Sequence, residues 1–228
     1  MITLKNNAIF IADSHYNSQR TILHKLLEQI QSKTIVTEQI FLMGDIFDFL
    51  SKEIDYFNII NKNVISLINK ISLDIEIIYL EGNHDFNLND IFPNVKVITR
   101  SNQPIYIKQN NKTIGLSHGD IFTPKSYDIY TNIIRNHYLL VFLNFIDYNN
   151  WLTSKVEKKL KQKEICHKQK NFNNFVQKRI NNYNVDLIIE GHYHQGMISE
   201  NYINIKSLCC DNAYLTHLNG KFNFLNII

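Results

Sequence analysis

Five short apolar runs in this chain each stop at a cluster of Asp, His or Asn, and no other feature restricts the fold as much. Residues 8–12 stop at Asp13-Ser14-His15, and residues 41–43 at Gly44-Asp45-Ile46-Phe47-Asp48. Residues 77–80 lead to Gly82-Asn83-His84-Asp85, residues 113–116 to His118-Gly119-Asp120, and residues 185–189 to Gly191-His192-Tyr193-His194. A strand buried on both faces reads as a continuous apolar run, and ligands of α/β folds gather where such strands end. The pattern therefore predicts five strand ends converging on one shared metal site.

Bulk properties set limits on that reading. At 228 residues and 44% hydrophobic, the chain can bury a sizeable core as one domain with room for an inserted subdomain. A net charge of +3 and a pI near 8.6 lack the concentrated basic face of a nucleic-acid binder, so no nucleic-acid partner is expected. Three cysteines, Cys166, Cys209 and Cys210, are odd in number, and the adjacent pair cannot easily bridge. No disulfide framework is expected, and a reducing cytosol suits the chain best. The start, Met1-Ile2-Thr3-Leu4, runs into the first strand with no export signal. No apolar run reaches the ~20 residues of a membrane span, the nearest being residues 138–145.

Taken in order, the chain predicts a helix capped by Ser18, with Ile22, Leu23, Leu26, Leu27 and Ile30 on one face. A second helix is expected from Asp55 to Lys70, carrying Ile60, Val64, Leu67 and Ile68 at helical spacing. Asn110-Asn111 reads as a turn. Asn219-Gly220, between two apolar stretches, is a two-residue hairpin signal, so the sheet should end in antiparallel strands.

Residues 124–179 change character, with no glycine and no strand pattern. An apolar, aromatic part around Phe142, Phe145 and Trp151 precedes a lysine-rich part from Lys155 to Lys170. Such a segment suits a lid over an amphiphilic substrate or a surface on anionic lipid; a helical hairpin with a solvated lysine face accounts for it equally. The division is thus a core of 1–123 and 180–228 with a helical insertion at 124–179.

Carboxylate oxygen with neutral imidazole suits Mn²⁺, Fe²⁺ or Zn²⁺, and the absence of cysteine from the motifs argues against a structural zinc knot. In an extended strand, residues two apart share a side, so Asp13 with His15, and His192 with His194, can each face one ion. A central carboxylate, Asp45, can share its oxygens between two ions ~3.5–4 Å apart. Gly44, Gly82, Gly119 and Gly191 punctuate the motifs, where turns or close backbone approach require no Cβ. Each motif alone is commonly a surface pair or a turn; the ordered set of five is not. His24, His137, His167 and His217 are left as ordinary surface or core histidines.

The five motifs together resemble the calcineurin-like metallophosphoesterase superfamily. The resemblance spans nearly the whole chain and implies an α/β (α+β sandwich) fold, two sheets flanked by helices, with a dinuclear site at the strand ends. It implies that Asp13, His15 and His194 hold one ion, that Asn83, His118 and His192 hold the other, and that Asp45 bridges. Two divalent ions, Mn²⁺ foremost, would generate the hydroxide that attacks phosphorus in line. His84 would stabilise the transition state or protonate the leaving oxygen, with Asp85 orienting its ring, and Asp48 and Asp120 would support ligands.

Within the superfamily, three features resemble the pyrophosphohydrolases of lipid A synthesis: Gly44 to Phe49, Phe86 after Gly-Asn-x-Asp, and the insertion carrying Tyr130 and Arg135. That branch cleaves a UDP-linked diacylglucosamine to UMP and 2,3-diacylglucosamine 1-phosphate at the cytoplasmic side of the inner membrane. Tyr130, Arg135, Phe142 and Trp151 would contact the nucleotide-linked glycolipid, with the aromatics as acyl-chain wall. One departure is His84, where the branch generally has arginine; histidine can donate a proton at neutral pH and arginine cannot. A cytosolic phosphodiesterase or phosphatase of nucleotides or phosphoproteins is thereby left open. A non-catalytic scaffold of this fold should lack ligands, and here every expected ligand type is present.

Overall fold

The computed structural model describes residues 2–227; Met1, where the leaderless start was expected, lies outside them. The first half places β1 (Ile2–Thr3), β2 (Ala8–Ile11), α1 (Ile22–Gln31), β3 (Gln39–Leu42), α2 (Asp55–Ile60), α3 (Lys62–Ile71), β4 (Glu76–Leu80) and β5 (Lys96–Ile98). A hairpin of β6 (Ile105–Gln109) and β7 (Lys112–Ser117) follows. Four helices come next: α4 (Lys125–Ile134), α5 (His137–Ile146), α6 (Trp151–Gln162) and α7 (Phe172–Ile180). The chain closes with β8 (Leu187–Glu190), β9 (Met197–Ile198), β10 (Tyr202–Asn204), α8 (Leu208–Asp211), β11 (Ala213–Leu218) and β12 (Lys221–Asn226).

Two six-stranded sheets form, in the orders β1-β6-β7-β8-β10-β9 and β12-β11-β2-β3-β4-β5. Strands β2, β3, β4 and β5 run parallel, and β11 and β12 close that sheet antiparallel. Alternation along the strands builds the layers. Phe10, Phe41, Ile78, Leu116, Leu187 and Ile189 point between the sheets. Their neighbours Ile9, Ile11, Ile40 and Ile77 face the other way, onto Leu23, Leu27, Val64 and Ile68 of α1 and α3. On the far side, Ile188 and Tyr202 pack against Phe172 and Val176 of α7. The result is the expected two-sheet sandwich flanked by helices.

Three local expectations need correction. Helix α1 begins after Thr21 rather than at Ser18, because the Asn17 side chain accepts the N–H groups of Gln19 and Arg20 and holds that stretch as a turn. The Asp55–Lys70 helix is broken in two at buried Asn61, whose amide donates to Phe49 O at 3.3 Å. Cys166 and Cys210, which were expected to be unpaired, are disulfide-bonded. They lie 44 residues apart, and linear spacing could not reveal that the stretch after α6 folds back onto α8. The Asn219-Gly220 hairpin forms as read, with φ of 51° and 79°.

Candidate metal centre

All five motifs sit just beyond the C-terminal ends of β2, β3, β4, β7 and β8, which lie side by side within their sheets. The backbone there is unusual. Asp13, His15, Asp45, His192 and His194 have φ between 41° and 65°, a region that non-glycine residues seldom adopt. Such strain persists only where surroundings enforce it. Here they do: Asp13 N–H donates to Gly44 O, His15 N–H to Asp45 O, and the His192 N–H to the Asp13 carboxylate at 2.8 Å. Two glycines are required by close approach: a Cβ on Gly44 would lie 2.4 Å from His118 Nδ1, and one on Gly82 would lie 2.3 Å from Asp45 Oδ1.

The donor atoms fall into overlapping sets. Asp13, His15 and His194 form one, and Asp45, His118 and His192 another; within each, one donor atom per residue lies within 4.8 Å of the others. A third, His15, Asp45 and His84, overlaps the first through His15 and the second through Asp45. His194 Nε2 is 3.3 Å from Asp13 Oδ1, and His118 Nε2 is 3.2 Å from His192 Nδ1 and 3.3 Å from Asn83 Oδ1. Asp45 Oδ1 lies 3.6 Å from His118 Nε2 and Oδ2 lies 4.0 Å from His15 Nε2. The rings are aimed from behind: His118 Nδ1–H donates to Met43 O at 2.8 Å and His194 Nδ1–H to Ile165 O at 2.9 Å. Imidazoles fixed by a carbonyl at one nitrogen and clustered with carboxylates at the other are a donor set that fits a borderline divalent cation.

Electrostatics agree. Burial opposes charge on Asp45, yet His118, His84 and His15 around it hold its carboxyl far below the usual range. Burial likewise opposes charge on His118, but Asp45, Asp120 and Asp13 push its pKa up to about 9. Burial and the His118 charge push His192 down to about 4. A cation would take the place of the proton that these carboxylates draw onto His118.

The supporting residues divide. Asp48 accepts from Asn17 at 2.7 Å and Arg20 at 2.6 Å, with Oδ1 3.6 Å from His15 Nδ1, so it backs that ring. Asp120 pairs with Arg100 at 2.9 Å. Asp85 does not orient the His84 ring, as had been expected. Its carboxylate accepts from Asp45 N, Ile46 N, Gly82 N and the Tyr79 hydroxyl, which leaves it beneath the two loops. The His84 ring is instead held by Asp48 O, 2.7 Å from Nδ1, and lines the pocket.

The four expected substrate contacts are dispersed. Arg135 is tied down, donating to Gly82 O at 2.6 Å and lying over the Phe86 ring. Tyr130 is exposed on α4 beside Tyr127. Phe142 and Trp151 face outward, 57% and 63% exposed, with Lys155 Nζ over the Trp151 ring. An apolar cavity between the helical segment and residues 49–57 is lined by Leu140, Leu143, Leu152 and Val156 on one side and by Phe49 and Phe57 on the other. Helical spacing within α5 could have separated Leu140 and Leu143 from Phe142. Lys163, one of the Lys155–Lys170 lysines expected to meet phosphate or membrane, and His167, given no role from sequence, line the metal pocket.

A metal pocket at the strand ends of a two-sheet sandwich defines a metal-dependent phosphoester hydrolase, and the chain belongs to the calcineurin-like phosphoesterase family, whose model matches residues 7–196. More particularly, it is similar to the UDP-2,3-diacylglucosamine hydrolase of Histophilus somni, with 23% identity over 84% of this chain and 86% of the other. The protein of that name from Blochmanniella pennsylvanica is 25% identical over 94% of this chain and 93% of its own length. Among solved structures, a dimetal phosphatase from Danio rerio overlays with a TM-score of 0.48 at 14% identity, covering 96% of this chain and 95% of that one.

Proposed function

We propose that this chain is a dinuclear pyrophosphohydrolase that cleaves UDP-2,3-diacylglucosamine to UMP and 2,3-diacylglucosamine 1-phosphate. The observation that carries the two-ion reading is the position of Asp45, with one carboxylate oxygen toward His118 and the other toward His15. Asp13, His15 and His194 would hold one cation, Asn83, His118 and His192 the second, with Asp45 shared. Mn²⁺ suits this mixed set, as do Fe²⁺ and Zn²⁺. When bound, such ions supply a nucleophile from water at neutral pH and neutralise phosphoryl charge.

The chain's own residues supply the rest. With Nδ1–H held by Asp48 O, the His84 ring turns Nε2 to the pocket, and in its doubly protonated form it would give the Nε2 proton to the leaving oxygen and return to the neutral imidazole. The substrate assignment is supported by the names of the relatives and by an apolar cavity beside the metal-bearing loops, which suits acyl chains. Of the 124–179 insertion, α4, α5 and α6 act as the lid on a core of 1–123 and 180–228, while α7 packs on the core sheet. Among the described residues no helix is long and apolar enough to cross a membrane. Exposed Tyr138, Phe142, Phe145 and Trp151, near the lysines of α6, suit peripheral contact with the cytoplasmic leaflet.

A second reading, a phosphodiesterase of small substrates, is favoured by His84, whose acid chemistry needs no lipid. The two are separated by presenting Mn²⁺-loaded protein with UDP-2,3-diacylglucosamine and with a simple aryl phosphodiester. Turnover of the aryl ester alone removes the lipid assignment. Full hydrolysis by Asp45→Ala protein removes the two-ion mechanism, whereas absence of tightly bound divalent metal points to a scaffold.

A further inference from the structure

Cys166 meets the adjacent pair Cys209 and Cys210 behind the metal pocket. Cys166 and Cys210 are bonded, and Cys209 Sγ lies 3.7 Å from Cys210 Sγ. The bond joins two strips of chain that hold opposite members of the Asp13–His194 pair. On one strip, Ile165 O accepts from His194 Nδ1–H at 2.9 Å, Lys168 Nζ donates to His194 O, and Gln169 N–H donates to Gln195 Oε1 at 2.9 Å. On the other, Ser207 Oγ–H donates to Asp13 O at 2.8 Å and Leu208 N–H to Ala12 O at 3.0 Å. Residues 163–169 form neither helix nor strand, and Lys163, Ile165 and His167 line the pocket. This wall has no hydrogen-bond ladder of its own to keep it in place.

We propose that the Cys166–Cys210 bond is a redox-controlled clasp on the metal pocket, a regulatory site that rests on the metal reading above. Closed, it holds the 163–169 strip against α8, so that Ile165 O keeps the His194 ring turned toward Asp13. Opening takes two electrons from a dithiol reductant. The S–S bond breaks, each sulfur gains a proton to become a thiol, and the reductant closes to its own disulfide. Cys166 is exposed and within reach of such a reagent. Cys209 is a bystander: it is outside the bond, its Sγ 3.3 Å from Ser207 Oγ and 3.7 Å from Cys210 Sγ.

The test compares oxidised protein with protein reduced by dithiothreitol and desalted anaerobically, alongside Cys166→Ser and Cys209→Ser. Mn²⁺ affinity is read by calorimetry and the strip by tryptic cleavage after Lys168 and Lys170. Loss of a partner that orients a ligating histidine weakens metal binding ~10-fold or more. Reduction should have that effect and expose the strip to trypsin, Cys166→Ser should behave as reduced protein in either buffer, and Cys209→Ser should still respond. Equal affinity and equal cleavage in both redox states, or three free thiols in the oxidised protein, would overturn the clasp. If neither form binds Mn²⁺, the metal reading has failed, while the cleavage pattern still decides whether the bond restrains the strip. A misfolded variant leaves the wild-type comparison to decide.

Discussion

The Asp85 carboxylate accepts the backbone N–H of Asp45 at 3.0 Å, so the residue that follows His84 in sequence serves the neighbouring strand end. The same carboxylate takes N–H groups from Ile46, Phe47 and Gly82 and the hydroxyl of Tyr79, all without contact with water. Asp85→Ala strands these buried donors, each worth about 1–3 kcal/mol when left unpaired. Urea unfolding should show a loss of ~3 kcal/mol or more, with Mn²⁺ binding lost as the Asp45 turn relaxes. An unchanged midpoint would contradict this role.

Arg179 reaches from α7 into the core and makes three contacts with Glu190 of β8 at 2.7–3.1 Å, both side chains being buried. It also donates to Gly119 O and Ile121 O. Breaking a buried pair on one side costs about 3–5 kcal/mol because the partner charge is abandoned. Arg179→Met should show a loss in that range, and adding Glu190→Gln should recover part of it. The measurement is a double-mutant cycle by chemical denaturation.

Glu53 fastens α5 to the core, accepting from Ser51, from Asn87 at 3.1 Å and from His137 Nδ1–H at 3.0 Å. Burial alone would raise its pKa, but these hydrogen bonds outweigh burial and lower it. A folded pKa below the unfolded value of ~4.3 gives stability that is present above that value and lost as pH falls through the folded one. The melting-temperature gap between wild type and Glu53→Gln should be widest near neutrality and should close in acid. A gap independent of pH would refute the tether.

Phe145 is 85% exposed and Phe142 57% exposed, both on the outward face of α5. Phe142→Asp with Phe145→Asp should leave aryl-ester hydrolysis within about twofold, since surface changes seldom disturb a fold. Sedimentation with anionic vesicles should fall severalfold. Equal sedimentation would remove the proposed membrane contact.

What the linear sequence carried was local. An apolar run followed by Asp, His or Asn marks a strand and its end, because burial on both faces and the need for donors at the sheet edge act within a few residues. Asn219-Gly220 read as a hairpin for the same reason, since positive φ at both positions is a property of those two residues. The donor residues of the pocket were therefore nameable one by one.

Only tertiary structure decided which groups meet. Asp85 and Asp45, Arg179 and Gly119, and Cys166 and Cys210 are 40, 60 and 44 residues apart, and no spacing rule joins them. Arg135 looked available to substrate until the loop at Gly82 was seen to occupy it. Hydrogen bonds and disulfides act at contact range, and contact between remote residues exists only after the sheets have packed and brought their ends together.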